Sequence, residues 1–202
     1  MLVFEQAESP FFLQEVRVPR LTDARKELRR AQITEAAVRC FGRSGLERTS
    51  IADITAESGL STGSIYAHYR SKAELVQAAA RATLAKRAEV LGEYARAEDP
   101  PDPDELLARM TSAVNPVEAR FGVQIWAEAT TDPVIGRIVT DMIGRLRLMV
   151  HDCVTAWLVR AEGGDPAAAR ERAAPIAHRV IALYLAELLQ TALRPPAEET
   201  TS

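Results

Sequence analysis

Residues 49–69 read Thr-Ser-Ile-Ala-Asp-Ile-Thr-Ala-Glu-Ser-Gly-Leu-Ser-Thr-Gly-Ser-Ile-Tyr-Ala-His-Tyr. The second half of this stretch gathers Ser61, Thr62, Gly63, Ser64, Tyr66 and His68. These are small or polar groups, suited to close approach to a major groove. Gly63 falls where a helix is expected, at a cost of ~1 kcal/mol relative to alanine. That cost makes sense if something must come near the backbone there. Other chemistries lack their residues. There is no G-x-S-x-G, no phosphate-cradling glycine loop and no carboxylate pair beside a base, so an enzyme is not expected. Cys40, Cys153, His151 and His178 show no ligand spacing of a structural zinc site, so no metal or cofactor is expected. Cys153 reads as a small buried hydrophobe.

These polar residues need a scaffold, and the sequence supplies one. Thr49 caps a short helix over 50–58, Gly59-Leu60 makes a tight turn, and Ser61 caps a third helix over 62–69. Ile51, Ile54, Leu60 and Ile65 can clamp the two short helices together. Gly59 provides the positive φ of the turn. Before them, a first helix over 24–41 opens at Thr22 or Asp23, and Gly42 and Gly45 end it. Ile33, Ala36, Ala37, Cys40 and Phe41 share its inner face. After them, Ser71 and Glu74 form a capping box for a long fourth helix to Arg96.

Asp102-Pro103, Asn115-Pro116, Asp132-Pro133 and Asp165-Pro166 each pair a cap with a proline at the first helical position. They predict helices over 103–113, 116–130, 133–161 and 166–193. Gly163-Gly164 separates the last two, which are long enough to pack antiparallel. Pro195-Pro196 stops the last. The expected fold is all-α. An extension (1–20) precedes a helix-turn-helix head (21–70), a larger helical body (71–195) and a loose tail (196–202).

Charge divides along the same line. Residues 21–72 carry nine Lys/Arg against six Asp/Glu, while residues 73–202 carry fourteen against nineteen. A modestly basic module precedes an acidic body. No uninterrupted run of eighteen apolar residues occurs, so no membrane-spanning helix is expected. Met1–Arg20 lacks a basic lead and a cleavage site, which argues against a signal peptide. With only two cysteines in the chain, a reducing cytoplasm is the expected setting.

The run from Arg30 to Leu75 resembles the DNA-binding domain of TetR-family transcriptional regulators. The matching pieces are Ala-Val-Arg-Cys-Phe-Gly-Arg-Ser-Gly (37–45), Thr-Ser-Ile-Ala-Asp-Ile (49–54) and Gly-Leu-Ser-Thr-Gly-Ser-Ile-Tyr-Ala-His-Tyr-Arg-Ser-Lys-Ala-Glu-Leu (59–75). Trp126–Pro133 also looks like a recurrent element of the family's second domain. The resemblance implies a dimeric regulator that binds a palindromic operator in double-stranded DNA, with repression the commoner behaviour. It implies phosphate contacts from Thr49, Tyr66, His68 and Lys72, and base or phosphate approach by Ser61, Thr62 and Ser64 beside Gly63. Tyr69 is counted with these DNA-binding residues, although it stands where the family often has Phe, its ring largely core. Arg48, Arg25, Lys26, Arg29 and Arg30 are further backbone or minor-groove candidates. Without Arg, Asn or Gln on the recognition helix, strong bidentate base readout is not expected.

The resemblance further implies a small, largely apolar effector held in the body. Leu91, Tyr94, Met110, Phe121, Trp126, Met142 and Met149 are the expected lining, and the fourth helix is the expected lever. The last two helices carry wide apolar stripes, expected to pair with their copies across a two-fold axis. Leu146, Val150, Val180, Ile181, Tyr184 and Leu188 are the expected contacts of that homodimer. The alternative is a helical dimeric scaffold without sequence-specific DNA binding. It leaves Tyr66, His68 and Lys72 together unexplained.

Overall fold

The computed structural model describes residues 21–195. Among these are eight α-helices and no strand: α1 (Leu21–Ser44), α2 (Ile51–Ser58), α3 (Thr62–His68), α4 (Lys72–Arg96), α5 (Pro103–Ser112), α6 (Pro116–Glu128), α7 (Pro133–Glu162) and α8 (Pro166–Leu193). The expectations for residues 1–20 and 196–202 lie outside the described residues.

Local chemistry sets most of these boundaries. Asp102, Asn115, Asp132 and Asp165 each accept a hydrogen bond from the first turn they precede, with proline behind them. Caps of this kind contribute ~1 kcal/mol each. Ser61 and Ser71 cap α3 and α4 as expected. Gly59 takes the left-handed conformation at φ 68° and closes α2.

Three local expectations are corrected. Ser50, not Thr49, caps α2, and it forms a reciprocal capping box with Asp53. Glu74 reaches past the Ser71 amide to accept from Arg70 N–H at 2.7 Å. α1 runs through Gly42 and stops at Ser44, before Gly45 at φ 93°. Gly42 is needed inside the helix, because a Cβ there would overlap the Val117 carbonyl of α6.

Two hydrophobic clusters fill the interior. The first joins α1, α2 and α3 to the start of α4, to Phe121 and Ile125 of α6 and to the start of α7. The second joins α5 and α8 to the rest of α7, with Leu91 of α4 and Ala119 of α6. Trp126 packs against both. The head therefore shares one continuous core with the body.

α7 and α8 form the most extensive helix pair. Leu146, Val150, Val180, Ile181, Tyr184 and Leu188, expected at a dimer face, are instead 0–7% exposed inside one protomer. Their stripes face the body's own helices, which leaves other apolar side chains outside. Leu148 of α7 is 62% exposed and Leu183 of α8 is 53% exposed. By length and composition alone α8 is apolar enough to cross a membrane, contrary to the reading from uninterrupted runs, with 28% of its most apolar window buried.

Cys40 and Cys153 are both buried free thiols. Desolvation pushes the Cys153 thiol up to about 11. Desolvation, then the nearby Glu57 charge, also raises Cys40.

Candidate DNA interface and effector cavity

α3 is short, and its two sides differ sharply. Ile65 is fully buried, and Tyr69 just beyond the helix is 2% exposed. They anchor α3 to the core. Ser61, Thr62, Gly63 and Tyr66 are exposed, while Ser64 and His68 are half-buried. Tyr66 is 52% exposed, a large ring left in solvent. At Gly63 an added Cβ would meet nothing closer than Ser61 Oγ at 4.0 Å. The protein's own packing does not require glycine at that position.

α1 and α2 hold this face rigidly. Arg39 and Arg43 of α1 both reach the Glu57 carboxylate of α2. The Arg43 hydrogen bond, then that of Arg39, holds Glu57 below its ordinary carboxylate range. Gln32 Nε2 donates to the Ser58 carbonyl at 2.8 Å. Thr55 and Thr62 hydroxyls meet at 3.3 Å across the turn. The sequence reading missed Glu57 and Gln32, whose partners lie 14 to 26 residues away.

Two expected DNA contacts are corrected. Thr49 is 1% exposed. Its hydroxyl donates to the Gly45 carbonyl at 2.8 Å and the Cys40 carbonyl at 3.2 Å, so it ties the α1–α2 turn together instead of facing phosphate. Tyr69 is buried, with the Arg30 guanidinium 5.0 Å above its ring. Burial raises its phenol. Among the remaining candidates, Lys72 Nζ donates to the Glu47 carbonyl at 3.0 Å, and Arg48 Nε to the Ser44 carbonyl at 2.8 Å. Arg25, Lys26, Arg29 and Arg30 are exposed along α1.

A cavity of about 370 Å³ lies among α4, α6, α7 and α8. That is near the low end of small-molecule sites. Phe121, Trp126, Met142 and Met149 line it as expected. Leu91 and Met110 belong to the second core instead, and Tyr94 lies under the Arg109 guanidinium at 5.1 Å. Leu146, Tyr184 and Leu188, assigned by sequence to a dimer face, line the cavity wall. Arg81, Glu118, Asp141 and Arg145 add charge to its lining. Trp126 Nε1 is buried without a hydrogen-bond acceptor. Among the described residues no cluster of His, Cys, Asp and Glu could hold a metal.

A clamped helix-turn-helix with a polar outer face thus sits on a helical body with a largely apolar cavity. Residues 33–79 match the family model for bacterial regulatory proteins of the tetR family. Over that segment, which spans the helix-turn-helix and the start of α4, the chain is similar to TetR-family transcriptional regulators. It is 55% identical over 49 residues to the HTH-type transcriptional regulator TtgR of Pseudomonas putida, a match covering 24% of this chain and 23% of that protein. It is 34% identical over 76 residues to the HTH-type transcriptional repressor AcnR of Corynebacterium diphtheriae, covering 38% and 40%. The matched segments thus span well under two thirds of these relatives. A protein from Saccharomonospora viridis, solved in complex with choline, superposes with a TM-score of 0.58 at 26% identity, covering 79% of this chain and 82% of that one.

Proposed function

We propose that this chain is a dimeric repressor that binds a palindromic operator and is released by a small, largely apolar effector. The observation that carries the proposal is the outer face of α3. Thr62, Gly63 and Tyr66 are offered to solvent on a helix whose other side is locked into the core. Helix-turn-helix proteins present their recognition helix to the major groove in this way. Lys72 and the exposed basic residues of α1 would supply phosphate contacts, which set affinity more than sequence choice. The repressor sense draws on the likeness to AcnR.

A second copy of the chain would cover the outer side of α7 and α8. Leu148, Leu183, Leu189 and Leu193 are large apolar side chains left exposed on these two helices. Surfaces of that kind mark association sites. Two heads in one dimer would then read two half-sites about one DNA turn apart. The cavity among α4, α6, α7 and α8 is the proposed effector site, and the choline-bound relative supports a small-molecule site in this fold. Residues 21–70 act as the reading head and 71–195 as the effector and dimer body, in a cytoplasmic setting.

Footprinting on the DNA upstream of the protein's own gene tests the reading. Two protected half-sites related by a two-fold axis are expected. Light scattering should give twice the 22.1 kDa of one chain, falling to one chain in Leu183→Glu. A wild-type monomer at micromolar concentration would remove the dimer from the proposal.

A further inference from the structure

We propose that α6, acting directly on the end of α1, carries the effector signal into the head, with Gln124 as the positioning residue. The proposal rests on reading the cavity as the effector site.

Three residues along one face of α6 grip the last turn of α1. The Val117 carbonyl packs so closely on Gly42 that no side chain fits between them. One turn on, Phe121 stacks on Phe41 with ring centroids 5.9 Å apart and planes 14° from parallel. At the next turn, Gln124 Oε1 accepts from Leu46 N–H at 2.8 Å while its Nε2 donates to the Phe41 carbonyl at 3.2 Å. One amide thus fixes both sides of the turn from which α2 departs. The neighbouring face of α6 supplies Gly122, Ile125 and Trp126 to the cavity, and Phe121 belongs to both surfaces.

The fourth helix was the expected lever, yet α1 packs more extensively on α6 than on α4. The polar tie that α4 makes to the α1–α2 turn is the exposed Lys72–Glu47 hydrogen bond. A ligand that pushes on Phe121 therefore meets a stacked ring, a closed backbone contact and a two-ended amide, all leading to the α1–α2 turn. Close-packed contacts of this sort shift between discrete arrangements and do not simply compress.

Hydrogen exchange on the full chain tests this, with the dye 1-anilinonaphthalene-8-sulfonate as the cavity probe. Saturating dye should change exchange in the 41–50 segment of wild-type protein by threefold or more. In Gln124→Ala the dye affinity should stay within twofold of wild type, while that response disappears. Phe121→Leu should weaken the same response by removing the stack. A 41–50 response that persists in both variants, or is absent from wild-type protein that binds the dye, overturns the proposal and leaves the cavity reading intact. Gly122→Leu fills the cavity. Dye that fails to bind wild type, or still binds Gly122→Leu, overturns the cavity reading and the proposal with it.

Discussion

Gly42 and Gly63 are both helical glycines in the head, and they face different things. A Cβ at Gly42 would run into the Val117 carbonyl, so the body itself demands glycine there. A Cβ at Gly63 would sit 4.0 Å from Ser61 Oγ and otherwise in open space. The inward side of the head is packed against the body, and the outward side is open to solvent. Helical glycine costs ~1 kcal/mol relative to alanine. At Gly42 that cost is offset by close helix packing. At Gly63 no contact within the chain offsets it, and the proposed DNA partner would.

The largest expected effect follows from the inward side. Gly42→Ala should destabilise the fold by about 2–3 kcal/mol, as overpacked cores do. Urea unfolding measures it, and an unchanged midpoint would mean that α1 and α6 separate easily. On the outward side, Tyr66→Phe should weaken DNA binding about tenfold while leaving the urea midpoint in place, as the loss of one hydrogen bond to a charged group would. Equal affinity at fixed salt would take Tyr66 out of the interface. Gly63→Ala splits the two readings most cleanly. It should raise stability by ~1 kcal/mol and yet lower DNA affinity. A variant that gains stability and keeps its affinity would show that nothing approaches the backbone at that position.

The smallest effect concerns the α1–α2 clamp. Arg43 and then Arg39 hold Glu57 below its ordinary 4.5. A carboxylate lowered on folding adds stability above its unfolded value, and that stability is lost as pH falls through the folded value. Both arginines are largely solvated, so the contribution is about 0.5 kcal/mol or less. Stability measured from pH 6 downward should fall less steeply in Glu57→Gln than in wild type. Parallel curves would show that the clamp adds nothing.

The helix boundaries were legible because they are local. An Asp or Asn cap and its proline act within one turn, and the six short-range starts at Ser61, Ser71 and the four cap-proline pairs needed no tertiary information, while the cap of α2 shifted from Thr49 to Ser50. The outer face of α3 was legible for the same reason, since burial alternates with Ile65 and Tyr69 over a few residues. Thr49 misled because a hydroxyl before a helix reads as a cap until its acceptors, Cys40 and Gly45, are seen. The body was harder to read. Leu146, Tyr184 and Leu188 lie on apolar stripes that periodicity finds, but periodicity does not say whether a stripe meets a cavity, a neighbour or a second copy. Gln124 was out of reach altogether, its partners being 78 and 83 residues away.

The central claim is that the outer face of α3 reads DNA. Its most direct test is salt-dependent binding of the full chain to a labelled fragment from upstream of its own gene, against random DNA. The account predicts a steep loss of affinity with salt and a preference of about a thousandfold or more for the upstream fragment. Failure to bind either DNA at low salt would contradict it and favour a helical scaffold without a DNA partner.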